Sequence, residues 1–162
     1  MLTVKENLCI LEAFKDGEIN VMVHQVNCQG KMASGIAGQI AKAYPKHKEE
    51  FLREYGYNNY LGNSVMTIYY DEARGSRNYV AGVYGQNHYG RDGKRYTNYA
   101  ALFSGIDEII NYTLEWDDKP TKVGIPWGIG CGLGGGDWNI VYPLLKDLSE
   151  IYNEIDFIIY KK

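Results

Sequence analysis

The stretch Gly128-Ile129-Gly130-Cys131-Gly132-Leu133-Gly134-Gly135-Gly136-Asp137-Trp138 carries six glycines in its first nine positions. It follows a short apolar segment, Lys122 to Trp127, and precedes a run with helical apolar spacing, Val141 to Tyr152. Glycines let backbone N–H groups approach an anion closely, and a following helix adds its positive N-terminal end. The stretch therefore predicts a strand, a phosphate-binding loop and a helix. The alternative is a glycine-rich turn that only allows close helix packing.

The glycine loop does not match the common nucleotide-binding motifs. A formal G-x-G-x-x-G runs from Gly130 to Gly135, but it lies far from the first βαβ unit, and no acidic residue ends the following strand. No Lys-Ser or Lys-Thr pair follows the glycines, which excludes a P-loop. A dinucleotide site of the Rossmann type is therefore a weak interpretation.

A second loop, Asn27 to Ala37, follows a buried-looking strand and also leads into a helix. Ser34 is placed to cap that helix, which leaves the next N–H groups free for a ligand. Ligands of parallel sheets bind beyond the carboxyl ends of the strands, so the two loops are expected to face each other. Two facing anion cradles predict a diphosphate ligand, whereas the alternative is two unrelated helix starts.

Strands and helices alternate along the rest of the chain. Apolar and β-branched runs predict strands at Leu8–Phe14, Ile19–Val26, Ser64–Asp71, Asn78–Tyr84, Lys122–Trp127 and Asp156–Tyr160. Helical spacing predicts helices around Ile36–Ala43, from Lys46 to Tyr55, from an N-cap at Thr97 to Trp116, and from Val141 to Tyr152, with Asp118 to Pro120 closing the third. This order predicts a helix-flanked, largely parallel or mixed sheet.

Composition limits the classes of protein that the chain can belong to. With 162 residues, one domain spanning residues 1–162 is expected, and a net charge of −3 excludes general nucleic-acid binding. No apolar run approaches the length of a membrane helix, and Glu6 and Glu12 stand where a signal peptide is basic or apolar. A cytoplasmic monomer is therefore expected. The three cysteines are widely spaced, which predicts reduced thiols and no metal site.

The run from His24 to Gly30, the residues Met32 to Ala37, and the loop Gly128 to Trp138 together resemble a macro domain. More narrowly, they resemble the microbial, phage and yeast ADP-ribose 1''-phosphate phosphatases, which are related to terminal ADP-ribose protein glycohydrolases. The resemblance covers nearly the whole chain. It implies an α/β fold with three α/β/α layers around a mixed, largely parallel central sheet, a cleft for an ADP-ribose derivative, and no cofactor.

The resemblance also implies a set of substrate-binding residues. Asn27 would bond the hydroxyls of the distal ribose, and the two loops would flank the diphosphate. The implied residues are Ile10, Gln25, Val26, Asn27, Met32, Ala33, Ser34, Gly35, Ile36, Ala37, Gln86, Gly128, Ile129, Gly130, Cys131, Gly132, Leu133 and Gly134.

Two residues are candidates for catalysis. His24 matches the histidine that the yeast phosphatase uses, and a histidine near a phosphate cradle suits proton transfer. Its alternative is a core histidine, because Val23 and Val26 surround it with apolar surface. Asp137 either orients the attacking water or caps the last helix. Neither Cys28 nor Cys131 has a histidine at a diagnostic spacing, which argues against thiol catalysis.

The sequence departs from its relatives at three places. The glycohydrolase branch uses a lysine and an aspartate where this chain has Gln86 or Asn87 and Gly134, and Cys9 replaces the aspartate that holds adenine in many relatives. The loop from Gln86 to Tyr96 is expected to rim the cleft. Its cations, Arg91, Lys94 and Arg95, either attract a terminal phosphate or belong to a solvated turn. Trp127 and Trp138 either stack on a base or pack in the core.

Three functions follow from these residues, in order of preference. The first is a metal-independent phosphatase that converts ADP-ribose 1''-phosphate to ADP-ribose and phosphate. The second is a hydrolase that removes ADP-ribose from protein or nucleic acid. The third is a module that binds ADP-ribose or a related NAD metabolite without turnover.

Overall fold

A computed structural model describes residues 1–116 and 121–162. Its strands are β1 (Leu2–Glu6), β2 (Val21–Asn27), β3 (Ser64–Asp71), β4 (Ser76–Gln86), β5 (Lys122–Pro126) and β6 (Asp156–Lys161). Its helices are α1 (Ile10–Lys15), α2 (Gly35–Ala43), α3 (Pro45–Glu54), α4 (Tyr99–Trp116) and α5 (Trp138–Ile151).

The strands form a mixed sheet in the order β1-β6-β5-β2-β4-β3. Every neighbouring pair is parallel except β3 and β4, which run antiparallel. Strands β2, β4 and β5 are parallel, so their carboxyl ends lie at the same edge of the sheet. The loops that follow these three strands build the candidate site.

Helices cover both faces of the sheet, as the three-layer prediction requires. Helices α4 and α5 pack Ile106 and Leu145 against inward residues of β2, β4, β5 and β6. On the other face, Phe14 of α1 and Ile40 of α2 pack on the sheet, while Phe51 of α3 packs in an adjoining cluster. No helix of the described residues is both long and apolar enough to cross a membrane.

Side-chain alternation along β2 decides which residues reach each layer. Val21 and Val23 belong to the core beneath α4 and α5, whereas Met22 and Val26 pack under the helices of the opposite face. Since successive side chains of a strand point to opposite faces, His24 faces the α3 layer and Gln25 faces the other. The alternation therefore places His24 and Gln25 on opposite faces of the sheet, although the sequence analysis expected both in the substrate cleft.

Two element predictions were wrong. Leu8–Phe14 was expected to be a strand, but Ile10–Lys15 is helical, and Ile10, Ala13 and Phe14 are buried at the i, i+3, i+4 spacing of a helix. The edge strand β1 was not predicted, because its residues are only half-buried and lack a continuous apolar pattern. The predicted helix end at Asp118 to Pro120 lies outside the described residues.

The N-cap of α4 was also misplaced. Thr97 is buried, and its hydroxyl donates to the carbonyl oxygen of Gly130 at 2.6 Å. Asn98 acts as the cap instead, because its Oδ1 accepts from the backbone N–H of Ala101 at 3.0 Å. The structure therefore uses the Thr97 hydroxyl to hold the glycine loop.

Candidate functional site

A cleft opens at the edge of the sheet where β2 and β5 end. One wall is the start of α2, and the facing wall is the glycine loop after β5. Between them lies a cavity of about 300 Å³. The loop and helix residues that line it are Ser34, Gly35, Ile36, Ala37, Gly128, Ile129, Gly130, Gly132, Leu133 and Gly134. The two loops that the sequence analysis paired are therefore brought together.

Both walls offer backbone N–H groups without hydrogen-bond partners. In α2, the first N–H groups precede the first helical bond, and Ser34 makes no side-chain cap bond that would occupy one of them. In the glycine loop, five residues have N–H groups that bond to no acceptor within the described residues: Gly128, Gly130, Gly132, Leu133 and Gly134. Such convergent donors bind phosphate oxygens without a metal ion.

A second cavity of about 540 Å³ continues the cleft beyond the α2 wall. It shares Gln25, Ser34, Ala37, Gln86 and Leu133 with the first cavity, so the two form one continuous groove. Its remaining lining residues are Val26, Asn27, Lys31, Ala33, Tyr89, Gly90 and Arg91. Among residues 1–116 and 121–162, the charged side chains that line the two cavities are both cations, and neither lining includes a carboxylate or an imidazole.

One curated relative matches most of the chain. It is a 17.5 kDa protein of uncharacterised function from the tk-vs intergenic region of Enterobacteria phage T4. The two sequences are 31% identical over 142 residues, which cover 86% of this chain and 85% of the phage protein. The chain belongs to the family of this phage protein. No protein-family model matches the sequence.

The fold is that of a macrodomain. The macrodomain of Mycobacterium tuberculosis DarG superposes with a TM-score of 0.77 at 21% identity, over 100% of this chain and 98% of that one. The macrodomain of Thermus aquaticus DarG gives a TM-score of 0.75 at 17% identity, over 100% and 99% of the two chains. Thermosipho africanus DarTG, solved in complex with ADP-ribose, gives 0.67 at 22% identity, over 90% of this chain and 39% of that chain.

A buried polar network supports the floor of the macrodomain cleft. Gln25 Nε2 donates to Gln86 Oε1 at 2.7 Å and to Thr97 Oγ1 at 2.8 Å, and Thr97 in turn donates to Gly130. The backbone N–H groups of Tyr96 and Thr97 both donate to the carbonyl oxygen of Gly134. These bonds join the ends of β2 and β4 to the glycine loop, so they hold that loop in position at the edge of the sheet.

Gly134 is tightly packed at the position where the resemblance would place the aspartate of the glycohydrolases. A Cβ atom at this position would lie 2.6 Å from Thr97 Oγ1 and 2.8 Å from the Gly130 carbonyl oxygen. No side chain fits there unless the network shifts. An aspartate at this point of the loop is therefore excluded by packing as well as by sequence.

His24 lies in the core rather than in the cleft. Its side chain is fully buried, and its Nε2 lies 2.8 Å from His47 Nε2 in α3. Burial, and then the neighbouring His47 ring, hold the pKa of His24 well below its ordinary value. Among the interpretations that the sequence left open, the core histidine fits this position, although His24 Nδ1 has no hydrogen-bond partner within the described residues.

Asp137 occupies the N-cap of α5. Its Oδ1 accepts from the backbone N–H of Asn139 at 2.9 Å, and its own N–H donates to the Tyr99 hydroxyl. The residue is exposed and is not among the residues that line the two cavities. The capping interpretation of Asp137 therefore has a direct structural basis.

Asn27 borders the distal cavity but is engaged with its own turn. Its Nδ2 donates to the carbonyl oxygen of Lys31 at 2.9 Å, and its Oδ1 accepts from the N–H groups of Gln29 and Lys31. The amide thereby shapes the loop between β2 and α2. One Nδ2 hydrogen beyond this bond is left for a ligand.

Three predicted contact residues lie behind the cleft surface. Ile10 and Met32 are buried in the core clusters around α1 and α2, and neither lines either cavity. Cys131 packs against the core, and its thiol donates a hydrogen bond to the Ile129 carbonyl oxygen. Burial, and then the charge of Asp137, raise the pKa of Cys131, while burial raises that of Cys28. Both thiols are therefore poor nucleophiles.

Lys31 lines the distal cavity, although the sequence analysis did not name it. Tyr89, Gly90 and Arg91 line it as well, as expected for a loop that rims the cleft, although they were not among the implied contact residues. For these three the available signal was the position of their loop after β4, which neighbours β2 in the parallel part of the sheet. The structure also separates the cations of that loop. Lys94 pairs with Asp92 at 3.7 Å, Arg95 lies over the Tyr99 ring, and only Arg91 lines the cavity.

Proposed function

We propose that this macrodomain binds ADP-ribose derivatives and hydrolyses ADP-ribose 1''-phosphate to ADP-ribose and inorganic phosphate. The diphosphate lies between the start of α2 and the glycine loop, where unpartnered N–H groups replace the water that phosphate oxygens lose on binding. The distal ribose extends past Asn27 into the larger cavity. The DarTG structure with ADP-ribose shares this fold and supports the choice of ligand.

The observation that carries the proposal is the continuity of the two cavities. Gln25, Gln86 and Leu133 line both, so a ligand held by its diphosphate can extend directly into the distal space. A monophosphate or a free nucleobase would fill only one part of such a groove. An elongated diphosphate with a sugar at its far end fits both parts.

The choice of phosphatase over glycohydrolase rests on the glycine loop. Gly134 leaves no room for a carboxylate. At the end of β4, Gln86 or Asn87 occupies the position where the resemblance would place the lysine of the glycohydrolases. Backbone donors and cations stabilise negative charge on phosphate, which is where charge changes when a phosphate ester is cleaved. Water adds across the phosphate ester bond, and ADP-ribose and inorganic phosphate leave.

The test is release of inorganic phosphate from ADP-ribose 1''-phosphate by the wild-type protein in the presence of a metal chelator. ADP-ribose binding is measured by calorimetry on the same sample. Phosphate release together with saturable ADP-ribose binding supports the proposal. ADP-ribose binding without phosphate release contradicts the phosphatase activity and supports only the proposal that the protein binds ADP-ribose derivatives.

One observation favours a second candidate, a binding module without turnover. Within the part of the chain that the structure describes, no carboxylate or imidazole lines the two cavities, and a binding module needs neither. In that case the protein would sequester ADP-ribose-like metabolites. Absence of both phosphate release and ADP-ribose release from modified protein or nucleic acid, with ADP-ribose binding intact, would favour this candidate.

A further inference from the structure

We propose that Lys31 and Arg91 form a separate subsite for a terminal phosphomonoester at the distal end of the cleft. This inference rests on the proposed function in one respect, that an ADP-ribose derivative lies in the groove. It adds that the protein selects a ligand whose far sugar carries a phosphate over the same ligand without one. Lys31 and Arg91 are then specificity-determining residues.

The two cations reach the distal cavity from two different loops, which follow the neighbouring strands β2 and β4. Lys31 belongs to the loop between β2 and α2, and Arg91 to the loop that follows β4. Arg91 Nη2 lies 3.4 Å from Ser34 Oγ, so this contact joins the loop after β4 to the start of α2. A phosphate in this cavity would meet positive charge from both residues, and the Arg91 guanidinium offers paired donors for two of its oxygens.

No carboxylate neutralises this pair. Within residues 1–116 and 121–162, neither Lys31 nor Arg91 forms an ion pair. Asp92 is adjacent to Arg91 in sequence, but it accepts from the Tyr96 hydroxyl at 2.8 Å and pairs with Lys94. In a chain of net charge −3, two cations without counter-ions in one cavity indicate an anionic ligand.

The Arg91 loop is held in place at both ends. At its start, the backbone N–H of Cys28 donates to the carbonyl oxygens of Gln86 and Asn87, and Gln29 Nε2 reaches Asn87. At its end, Tyr96 and Thr97 bond to Gly134 in the diphosphate wall. Both ends of the loop that carries Arg91 are thus tied to the walls of the cleft, which lowers the cost of ordering this loop when a ligand binds.

Binding to two ligands tests the subsite independently of turnover. The first ligand is ADP-ribose, and the second is its C1'' methylenephosphonate, in which a CH₂ group replaces the ester oxygen and prevents hydrolysis. The proteins are the wild type, Lys31→Gln, Arg91→Gln, and the matched control Lys94→Gln from the same loop. All three replaced side chains are exposed, so the variants are expected to fold.

We expect the wild type to bind the phosphonate about tenfold more tightly than ADP-ribose, and each subsite variant to lose about tenfold for the phosphonate alone. Lys94→Gln should leave both dissociation constants within about twofold, since Lys94 faces Asp92. The preference should also weaken as ionic strength rises. Equal losses for both ligands, or no loss, would overturn the subsite while leaving the proposed function intact.

Inorganic phosphate provides the complementary measurement. Binding of phosphate to the wild type, followed by phosphorus NMR, should weaken in Arg91→Gln and persist in Lys94→Gln. If ADP-ribose does not bind and no phosphate ester is hydrolysed, an Arg91-dependent phosphate site still supports the subsite, and only the proposed function fails. A wild type that binds neither phosphate nor the phosphonate overturns the subsite.

Discussion

The Nε2 atom of His24 in β2 lies 2.8 Å from the Nε2 atom of His47 in α3. Both side chains are fully buried, and His47 Nδ1 extends the chain of polar contacts to Thr67 Oγ1 at 2.9 Å. One ring must donate and the other accept, so at least one imidazole carries a lone pair at the contact. The pair ties α3 to the sheet through neutral rings.

Stability is expected to fall as the pH is lowered from about 6.5, the ordinary histidine pKa. Burial lowers the pKa of His47 to about 4, and burial together with the neighbouring His47 ring holds the pKa of His24 well below its ordinary value, so the unfolded chain binds more protons in this range than the folded one. Each such histidine should contribute about 1.4 kcal/mol per pH unit between these values. Urea denaturation at a series of pH values measures the slope.

The matched variant for this measurement is His47→Gln, which removes one titrating ring and keeps a polar side chain. Its stability should depend less steeply on pH between about 4 and 6.5 than that of the wild type. Parallel curves for the two proteins would show that the pair does not titrate as its burial requires.

Replacing His24 by Ala is expected to lower the free energy of unfolding by about 2 to 4 kcal/mol, because it opens a cavity and leaves the Nε2 atom of His47 without its partner. Turnover per folded molecule should be retained, since His24 does not line the cleft. His47→Ala is the control, as it breaks the same contact from α3. A loss of turnover in His24→Ala alone, with ADP-ribose affinity intact, would restore the catalytic interpretation of His24.

Gly132→Ala should weaken ADP-ribose binding by about tenfold or more without lowering the unfolding temperature. A Cβ at Gly132 meets no atom within 4 Å, yet the residue lines the diphosphate cavity, so the added methyl group occupies ligand space. Gly105→Ala is the contrasting variant, because its Cβ would overlap the Val83 side chain, and neither of these residues lines the cleft. It should cost about 1 to 3 kcal/mol of stability and spare binding.

Calorimetry and thermal unfolding on both glycine variants separate the two effects. Unchanged ADP-ribose affinity in Gly132→Ala would mean that the diphosphate does not contact this part of the loop.

Asp137→Ser is expected to keep both stability and turnover, whereas Asp137→Ala should lose about 1 kcal/mol of stability. Serine retains the N-cap bond to Asn139 and removes the carboxylate, so the pair of variants distinguishes a cap from a catalytic group. Thermal unfolding and phosphate release are measured on each variant. A large loss of turnover in Asp137→Ser at unchanged stability would assign the carboxylate a catalytic role.

Local sequence patterns were sufficient for most of the fold. Helical spacing located α2, α4 and α5, and β-branched runs located β3 to β6, because each pattern reflects which face an element buries. The Leu8–Phe14 segment failed, since a short apolar run suits a strand or a buried helix equally well. The prediction that two loops meet at one edge of the sheet succeeded because parallel strands place their carboxyl ends together.

The sequence by itself determined a helix-flanked, largely parallel sheet and the two walls of the cleft, since these depend on local periodicity and on residues without bulky side chains. The macrodomain architecture was predicted from the resemblance to that family rather than from periodicity. Only the tertiary structure decided which polar side chains lie in the core and which line the cleft. His24 and Gln25 are neighbours in sequence, yet strand alternation sends one to the core and the other to the cleft. Arg91 and Arg95 have the same side chain, but only Arg91 lines the cavity, whereas Arg95 lies over the Tyr99 ring, and this difference comes from contacts that the local sequence does not specify.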